Sequence, residues 1–132
     1  MAEEKVKDIA QEAENVILRL KEDGGGKLVL TTSQIRKFLA SVSALTNKVD
    51  VYRAQHAESA ALSPELASAV KYLKVQLAYQ AGREPKKVKP FVETARLKER
   101  IDSIGTDIRA YEDFAHYMEA LVAYHKFYGG RD

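Results

Sequence analysis

The segment from Tyr72 to Arg83, YLKVQLAYQAGR, most constrains the fold because its helical pattern is apolar on two faces. One face consists of leucine and valine side chains at three- and four-residue spacing: Leu66, Val70, Leu73 and Leu77. Tyr72, Val75 and Tyr79 lie nearly opposite. A surface helix usually has a single apolar stripe. The second stripe predicts that this helix is either buried in the middle of its own domain or shared with a neighbouring molecule.

The rest of the chain is also helical in pattern, and only Lys27 to Leu30 would fit a short extended piece. We therefore predict an all-α fold, a compact bundle of about five helices in a single domain over residues 1–132. A chain of 132 residues buries about 70% of its unfolded surface, so it needs no metal or disulfide to fold. The predicted helices run approximately over residues 3–22, 31–57, 64–81, 90–104 and 107–128.

Two connections stand out between these helices. Residues 23–31 form a glycine-containing linker that we expect to be flexible, and residues 83–89 form a basic loop after Gly82 ends the third helix. Ser63 and Pro64 are a strong start for that helix, with a hydroxyl cap followed by proline at the first helical position. The GGGK sequence of the linker lacks the preceding strand, the spacing and the Ser/Thr of a phosphate-binding loop.

Aromatic residues also border the apolar stripe of the last helix. Tyr117, Tyr124 and Tyr128 form a row there, and His125 lies on the stripe itself. Aromatic rings can stack nucleobases with little sequence preference, but at the margin of a stripe they more often pack against a core. We interpret the row as packing, and His125 as a border residue whose hydrogen bonds are satisfied.

The composition excludes several classes of function. The chain has no cysteine, which rules out disulfides, thiolate metal sites and a cysteine nucleophile. The first residues, MAEEKVKDIA, lack the basic start and apolar core of a signal peptide. No apolar run approaches the roughly 18 residues of a membrane span. We expect a soluble, cytoplasmic protein with no membrane partner.

The sequence also lacks the patterns of a reactive centre. His56, His116 and His125 form no HxxxH or HExxH motif, and no GxSxG motif is present. Acidic pairs such as Glu112 and Asp113 are adjacent, so they point to different sides of a helix. We predict a protein that is not an enzyme, with no catalytic residues, no metal and no cofactor.

The net charge of +2 is unevenly distributed. Met1–Asp23 and Ile101–Asp132 each carry a net charge of −3, whereas Lys27–Ala57 and Arg83–Arg100 each carry +4. Basic segments between acidic ends are typical of a surface that binds phosphate. On the second helix, Lys37 and Lys48 share a face whose other members are small or neutral. This face is either an ordinary solvated surface or a strip that meets phosphates.

Four blocks of sequence resemble a known family: LTTSQIRKFL (30–39), YLKVQLAYQAGR (72–83), VKPFVE (88–93) and YMEALVAYHKFYGG (117–130). They are similar to the small helical subunit of type III-A CRISPR-Cas (Csm) effector complexes, and they occur in the same order. The resemblance covers nearly the whole chain after the glycine linker.

The resemblance implies a non-catalytic subunit in antiviral defence, present in several copies that stack into the minor filament of the effector complex. Its partners would be copies of itself, the backbone and large subunits, and the duplex of guide RNA and target RNA. Such subunits contact the target RNA backbone without reading bases. Basic residues within the matching blocks are candidates for this contact: Arg36, Lys37, Lys71, Lys74, Arg83 and Lys89. Charge and position add Lys48, Arg53, Lys86 and Lys87, which lie between the blocks.

Two other functions remain open at the level of sequence. A helical DNA-binding regulator would need a recognition helix in the major groove, and no short helix-turn-helix pattern supports one. A pure protein scaffold would use the same basic segments to meet acidic partners instead of phosphates. Sequence-selective binding would favour the regulator, and copurification with protein but never with RNA would favour the scaffold.

Overall fold

The computed structural model describes residues 8–132 and contains six α-helices within them. They are α1 (Ile9–Asp23), α2 (Thr32–Gln55), α3 (Pro64–Arg83), α4 (Lys89–Thr94), α5 (Leu97–Ile104) and α6 (Ile108–Phe127). Over this range there is no β-strand, and the contact between Ala61 and Asp107 is a single isolated bridge. The all-α prediction is confirmed, with six helices where about five were expected.

The three long helices α2, α3 and α6 begin where the sequence predicts. Thr31 accepts a hydrogen bond from the Gln34 backbone N–H, and the Gln34 side chain accepts one from the Thr31 N–H, which is a complete capping box. Ser63 caps α3 ahead of Pro64, and Asp107 caps α6. These caps satisfy backbone donors that the first turn of a helix leaves free.

Within the described residues, the first helix begins at Ile9. Asp8 has a non-helical backbone (φ −91°, ψ 81°), and its side chain accepts a hydrogen bond from the Gln11 backbone N–H. Asp8 is therefore the N-cap, and Ile9 is the first helical residue of α1. The earlier part of the predicted helix, with Val6 of its stripe, lies outside the described residues.

The predicted fourth helix is divided into α4 and α5 at Arg96, which has a left-handed backbone (φ 55°). The apolar stripe explains the division, because at about 100° per residue the buried positions of α4 and those of α5 lie nearly opposite each other. These positions are Phe91 and Val92 in α4, and Leu97, Ile101 and Ile104 in α5. The break turns both sets inward. The carbonyl of Ala95 at the break accepts hydrogen bonds from the Tyr117 hydroxyl and the Arg100 side chain.

Helix α6 lies at the centre of the core, in contact with α1, α2 and α5. Tyr111 is fully buried on it, and its hydroxyl donates to the Val42 carbonyl at 2.9 Å and lies 2.8 Å from the Thr46 hydroxyl. Burial raises the pKa of Tyr111 to about 12. Tyr117 is also buried, with the Arg100 guanidinium 3.8 Å from its ring centre. Tyr117 therefore packs, as predicted for the tyrosine row, and does not offer its ring to solvent.

Helix α3 buries only one of its two apolar faces. The buried face consists of Leu66, Val70, Leu73, Leu77 and Ala81. On the opposite face the side chains of Tyr72, Val75 and Tyr79 are 59%, 55% and 63% exposed. This helix is therefore not in the middle of the bundle. It continues through Gly82 to Arg83, so Gly82 is not the stop that the sequence suggested.

The connections on either side of α3 and after α1 are short. The turn between α3 and α4 covers residues 84–88, so Arg83 and Lys89 of the predicted basic loop are helical. The connection after α1 turns at Gly25 and Gly26, whose φ values of 69° and 95° favour glycine. Near its end, Leu30 is only 2% exposed.

A buried histidine joins this connection to the last helix. His125 is 1% exposed, and its Nε2 donates a hydrogen bond to the Leu30 carbonyl at 2.6 Å. The last two residues of the chain bind the start of α2 beside this histidine. The Thr32 N–H donates to the Arg131 carbonyl, and the Ser33 N–H donates to the Asp132 carboxylate. His125 is satisfied, as predicted, and it packs fully inside the fold.

This histidine predicts a loss of stability in mild acid. Burial is the main cause that lowers the pKa of His125 below its usual 6.5, and Lys126 adds to it, while the hydrogen bond to Leu30 acts in the opposite direction. As the pH drops below about 6.5, His125 therefore binds a proton in the unfolded chain before it does so in the folded protein. The free energy of unfolding falls with this drop in pH. Urea unfolding at a series of pH values from about 8 to about 5 measures this slope.

The control for this prediction is His125→Gln, whose amide can still donate to Leu30 but does not titrate. We expect the variant to be less stable at pH 8, and to lose less stability than the natural protein between pH 8 and pH 5. Equal pH dependence in the two proteins would contradict the assignment.

Candidate nucleic-acid interface

The cations predicted to bind RNA lie at the surface of the fold. Nine of the ten are exposed, and Lys74 is half-buried. The exposed set is Arg36, Lys37, Lys48, Arg53, Lys71, Arg83, Lys86, Lys87 and Lys89. Contact with a polyanion requires exposure, and all nine of these side chains meet that requirement.

Two of the ten are already paired with carboxylates. Arg53 forms an ion pair with Glu112 of α6, and the Lys74 Nζ lies 2.7 Å from an Asp102 carboxylate oxygen on α5. Exposed pairs of this kind contribute about 0–1 kcal/mol to stability, but they neutralise the local charge. Within residues 8–132 the other eight cations form no ion pair. Their charge remains available to an external partner.

Helices α2 and α3 concentrate this charge. Together they contain seven cations, and their acids are Asp50 and Glu65. We call their outer side the α2–α3 surface, which comprises Lys37, Lys48, Lys71, Tyr72, Val75, Tyr79 and Arg83. On α3, Lys71 precedes Val75 by one turn and Arg83 follows Tyr79 by one turn, so cations flank the exposed apolar stripe.

A groove of about 540 Å³ lies along this surface between the two helices. Its lining residues are Lys37, Phe38, Ala40, Ser41, Tyr72, Val75, Gln76, Tyr79 and Gln80. Phe38 is 5% exposed and belongs to the core, whereas the two tyrosines are more than half exposed. The groove has no acidic lining residue. It combines aromatic rings, side-chain amides and a cation.

The cations of the 84–88 turn lie elsewhere. Lys86 and Lys87 border a separate cavity of about 210 Å³ together with Asp23, Gly24 and the Leu28–Leu30 segment. The structure therefore brings the basic turn next to the glycine connection, and not into the groove between α2 and α3. The predicted cations form at least two distinct basic areas.

Three acidic side chains line a second groove on a different side of α2. Asp50, Glu112 and Glu119 line a groove of about 390 Å³ between α2 and α6, with His116 among them. In the described part of the chain, no three His, Asp or Glu side chains are placed so that they would hold a metal ion. These three carboxylates lie on the side of α2 away from Lys37, and they do not line the groove between α2 and α3.

Sequence reasoning missed the two glutamines of the groove. Gln76 follows Tyr72 by one helical turn, and Gln80 follows Gln76 by another, so their spacing places them beside the tyrosines. This spacing could be read from the sequence. Whether the two glutamines belong to a surface site depends on whether that face of α3 is buried or exposed, which the structure decides.

The family model for Csm2 Type III-A matches residues 3–131 of the chain. The chain belongs to the Csm2 family. A Streptococcus thermophilus protein named "CRISPR system Cms protein Csm2" is 43% identical over 120 residues, which are 91% of this chain and 90% of the relative. Proteins of the same name from Mycobacterium tuberculosis and Enterococcus italicus are 38% and 35% identical, and they cover 78% and 75% of this chain. The aligned residues make up 78% of the Mycobacterium tuberculosis protein and 68% of the Enterococcus italicus protein.

Membership in Csm2 confirms the resemblance drawn from the four sequence blocks. The protein is the small subunit of a type III-A CRISPR-Cas effector complex, in which it assembles with other subunits in antiviral defence. The Csm2 family is a structural subunit of that complex and not an enzyme. None of the helices in the described range combines the length and apolar content that a membrane crossing requires.

Proposed function

We propose that this subunit binds the backbone of target RNA without sequence specificity, and that the α2–α3 surface is the main site of contact. The observation that carries the proposal is the segregation of charge. Seven cations lie on α2 and α3 against two acids, and only Arg53 and Lys74 of the seven are engaged in ion pairs within the described residues. Such a surface attracts a polyanion, whatever its sequence.

The residue types fit contact with phosphates. A subunit that must accept any target sequence gains nothing from reading base edges in a fixed pattern, because the target changes with the guide. Lysine and arginine bind phosphate oxygens, which are the same at every nucleotide. Lys37, Lys48, Lys71 and Arg83 are exposed and form no ion pair within residues 8–132, so we place them in direct contact with the RNA. Lys86, Lys87 and Lys89, at and just after the turn that follows α3, provide a second basic area for the same RNA backbone.

We also propose that copies of the subunit stack head-to-tail along the duplex of guide and target RNA, beside the backbone and large subunits. A head-to-tail contact joins two different surfaces of the same protein. Phe127, the last residue of α6, is 75% exposed and Leu18 of α1 is 40% exposed, and we propose them as candidate contact residues. Exposed apolar residues of this size commonly mark contacts with other proteins.

The salt dependence of RNA binding tests the first of these proposals. We expect the purified chain to bind single-stranded RNA weakly, with log affinity falling linearly against log salt concentration at about −0.7 per phosphate contact. Fluorescence anisotropy with several unrelated RNA sequences, from about 50 to about 200 mM salt, measures the slope. Four contacts would give a slope of about −3. Equal affinity at low and high salt, or strong preference for one sequence, would contradict the proposal.

A further inference from the structure

The outer face of α3 exposes more apolar surface than packing of the bundle requires. Tyr72, Val75 and Tyr79 are each more than half exposed, and they follow one another along a single side of the helix. Isolated apolar residues at a surface are ordinary, but a contiguous apolar stripe usually marks a binding site. The buried face of α3 already supplies its contribution to the core, so the exposed stripe has another role.

The neighbours of this stripe indicate what it binds. Gln76 and Gln80 supply amide donors and acceptors in the same groove, and Lys37 contributes a cation. Arg83 and Lys71 flank the stripe on the same helix. No carboxylate lines the groove, so a basic protein segment would find no partner for its charge. An acidic protein segment would pair with the cations, but its carboxylates do not stack on aromatic rings as nucleobases do.

Single-stranded nucleic acid satisfies all of these groups at once. Its phosphates pair with lysine and arginine, its base faces stack on aromatic rings, and its ribose hydroxyls form hydrogen bonds with side-chain amides. We propose that the groove between α2 and α3 holds unpaired nucleobases of RNA, which stack on Tyr72 and Tyr79, while Gln76 and Gln80 form hydrogen bonds with the ribose and phosphate groups that every nucleotide shares. This inference rests on the proposed RNA binding and adds a second kind of contact to it.

The geometry of α3 sets the length of RNA that the groove spans. Tyr72 and Tyr79 are seven residues apart, which at about 1.5 Å per residue places them about 10 Å apart along the helix axis. This distance is about three steps of 3.4 Å between neighbouring nucleotides. A run of about four nucleotides therefore reaches from one ring to the other. Because every base has a π-face, stacking of this kind preserves the tolerance for sequence that the subunit needs.

The test compares two RNAs and two proteins. One RNA carries bases, including the fluorescent adenine analogue 2-aminopurine at its centre, and the other is an abasic strand with the same number of phosphates. The variant is Tyr72→Leu with Tyr79→Leu, which keeps apolar side chains and good helix formers at both exposed positions but removes the rings. Circular dichroism checks that the helical content is unchanged.

We expect the natural protein to quench 2-aminopurine on binding and to prefer the base-bearing RNA over the abasic strand by at least about 10-fold. The double variant should bind the base-bearing RNA at least about 10-fold more weakly, with an unchanged salt slope, and should treat the two RNAs alike. His116→Leu is the control, since it removes an exposed aromatic ring of α6 that lies outside the groove. It should leave affinity and quenching as they are.

Three outcomes would overturn the inference. If both RNAs bind equally well and with the expected salt slope, the proposed function stands and the stacking site is wrong. If the double variant binds RNA normally but changes the mass of the protein in light scattering, the face is a contact between copies. If neither RNA binds at any salt concentration, the proposed function fails and the stacking site fails with it.

Discussion

Replacement of Lys37, Lys48 and Arg83 together by alanine is expected to weaken binding to single-stranded RNA about 100-fold at about 0.1 M salt. Each phosphate contact contributes about 0.7 to the slope of log affinity against log salt, which is about fivefold per contact at this concentration. The slope should flatten by about 2 at the same time. All three side chains are exposed and form no ion pair within residues 8–132, so removal leaves no carboxylate without its partner. Anisotropy titrations at several salt concentrations measure both quantities.

The matched control removes three cations from other helices. Lys98→Ala, Arg109→Ala and Lys126→Ala together cause the same change in net charge, but these exposed residues lie on α5 and α6 and form no ion pair within residues 8–132. We expect this control to lose much less affinity than the first variant, because only the general attraction of the protein is reduced. Equal losses would show that the basic surface is misplaced. A sequence-dependent loss would contradict non-specific binding.

Much of the fold could be predicted from local patterns. The cap at Ser63 was predicted, and the caps at Thr31 and Asp107 were among the two or three candidates that the sequence offered for each helix, because side-chain oxygens stand there just before an apolar periodic segment. The break at Arg96 was missed. Its signal was present, because the apolar positions change sides of the helix between Ala95 and Leu97, but a proline start and a glycine end around residues 90–105 suggested one continuous helix.

Gly82 illustrates the limit of such local signals. Glycine near the end of a periodic segment usually stops a helix, since it alone adopts the left-handed backbone without strain. Here the helix continues one residue further, to Arg83, and the chain ends it at Glu84, whose N–H donates to the Gln80 carbonyl. The charge and the proline that follow were better guides to the end of α3 than the glycine was.

The candidate site was predictable in its residue types and less so in its geometry. Helical periodicity placed Lys37 and Lys48 on one exposed face, as observed. The pairing of Arg53 with Glu112 and of Lys74 with Asp102 was not predictable, because the partners are 59 and 28 residues apart in the chain. Whether the second face of α3 is buried also depends on which helices cover it. That is a property of the whole packing arrangement and not of the segment.

The C-terminal turn after α6 gives the other large prediction, which concerns stability. Gly130→Ala is expected to lower the free energy of unfolding by about 2–4 kcal/mol, which is about 10 °C in Tm for a chain of this length. A methyl group at Gly130 would overlap the ring of His125. The ring has no room to turn away, because it is 1% exposed and its Nε2 is bound to the Leu30 carbonyl. Either the ring or the C-terminal turn must move, and the hydrogen bond to Leu30 is weakened or lost.

Gly82→Ala is the matched control for this substitution. It adds the same methyl group in α3, where nothing lies within 4 Å of the added carbon. Because alanine is favoured over glycine within a helix, we expect an increase of up to about 1 kcal/mol in the free energy of unfolding. Thermal and urea unfolding of the two variants measure the difference. If Gly130→Ala were as stable as the natural protein, the His125 ring would be free to shift, and burial of the ring would no longer explain the pH dependence of stability.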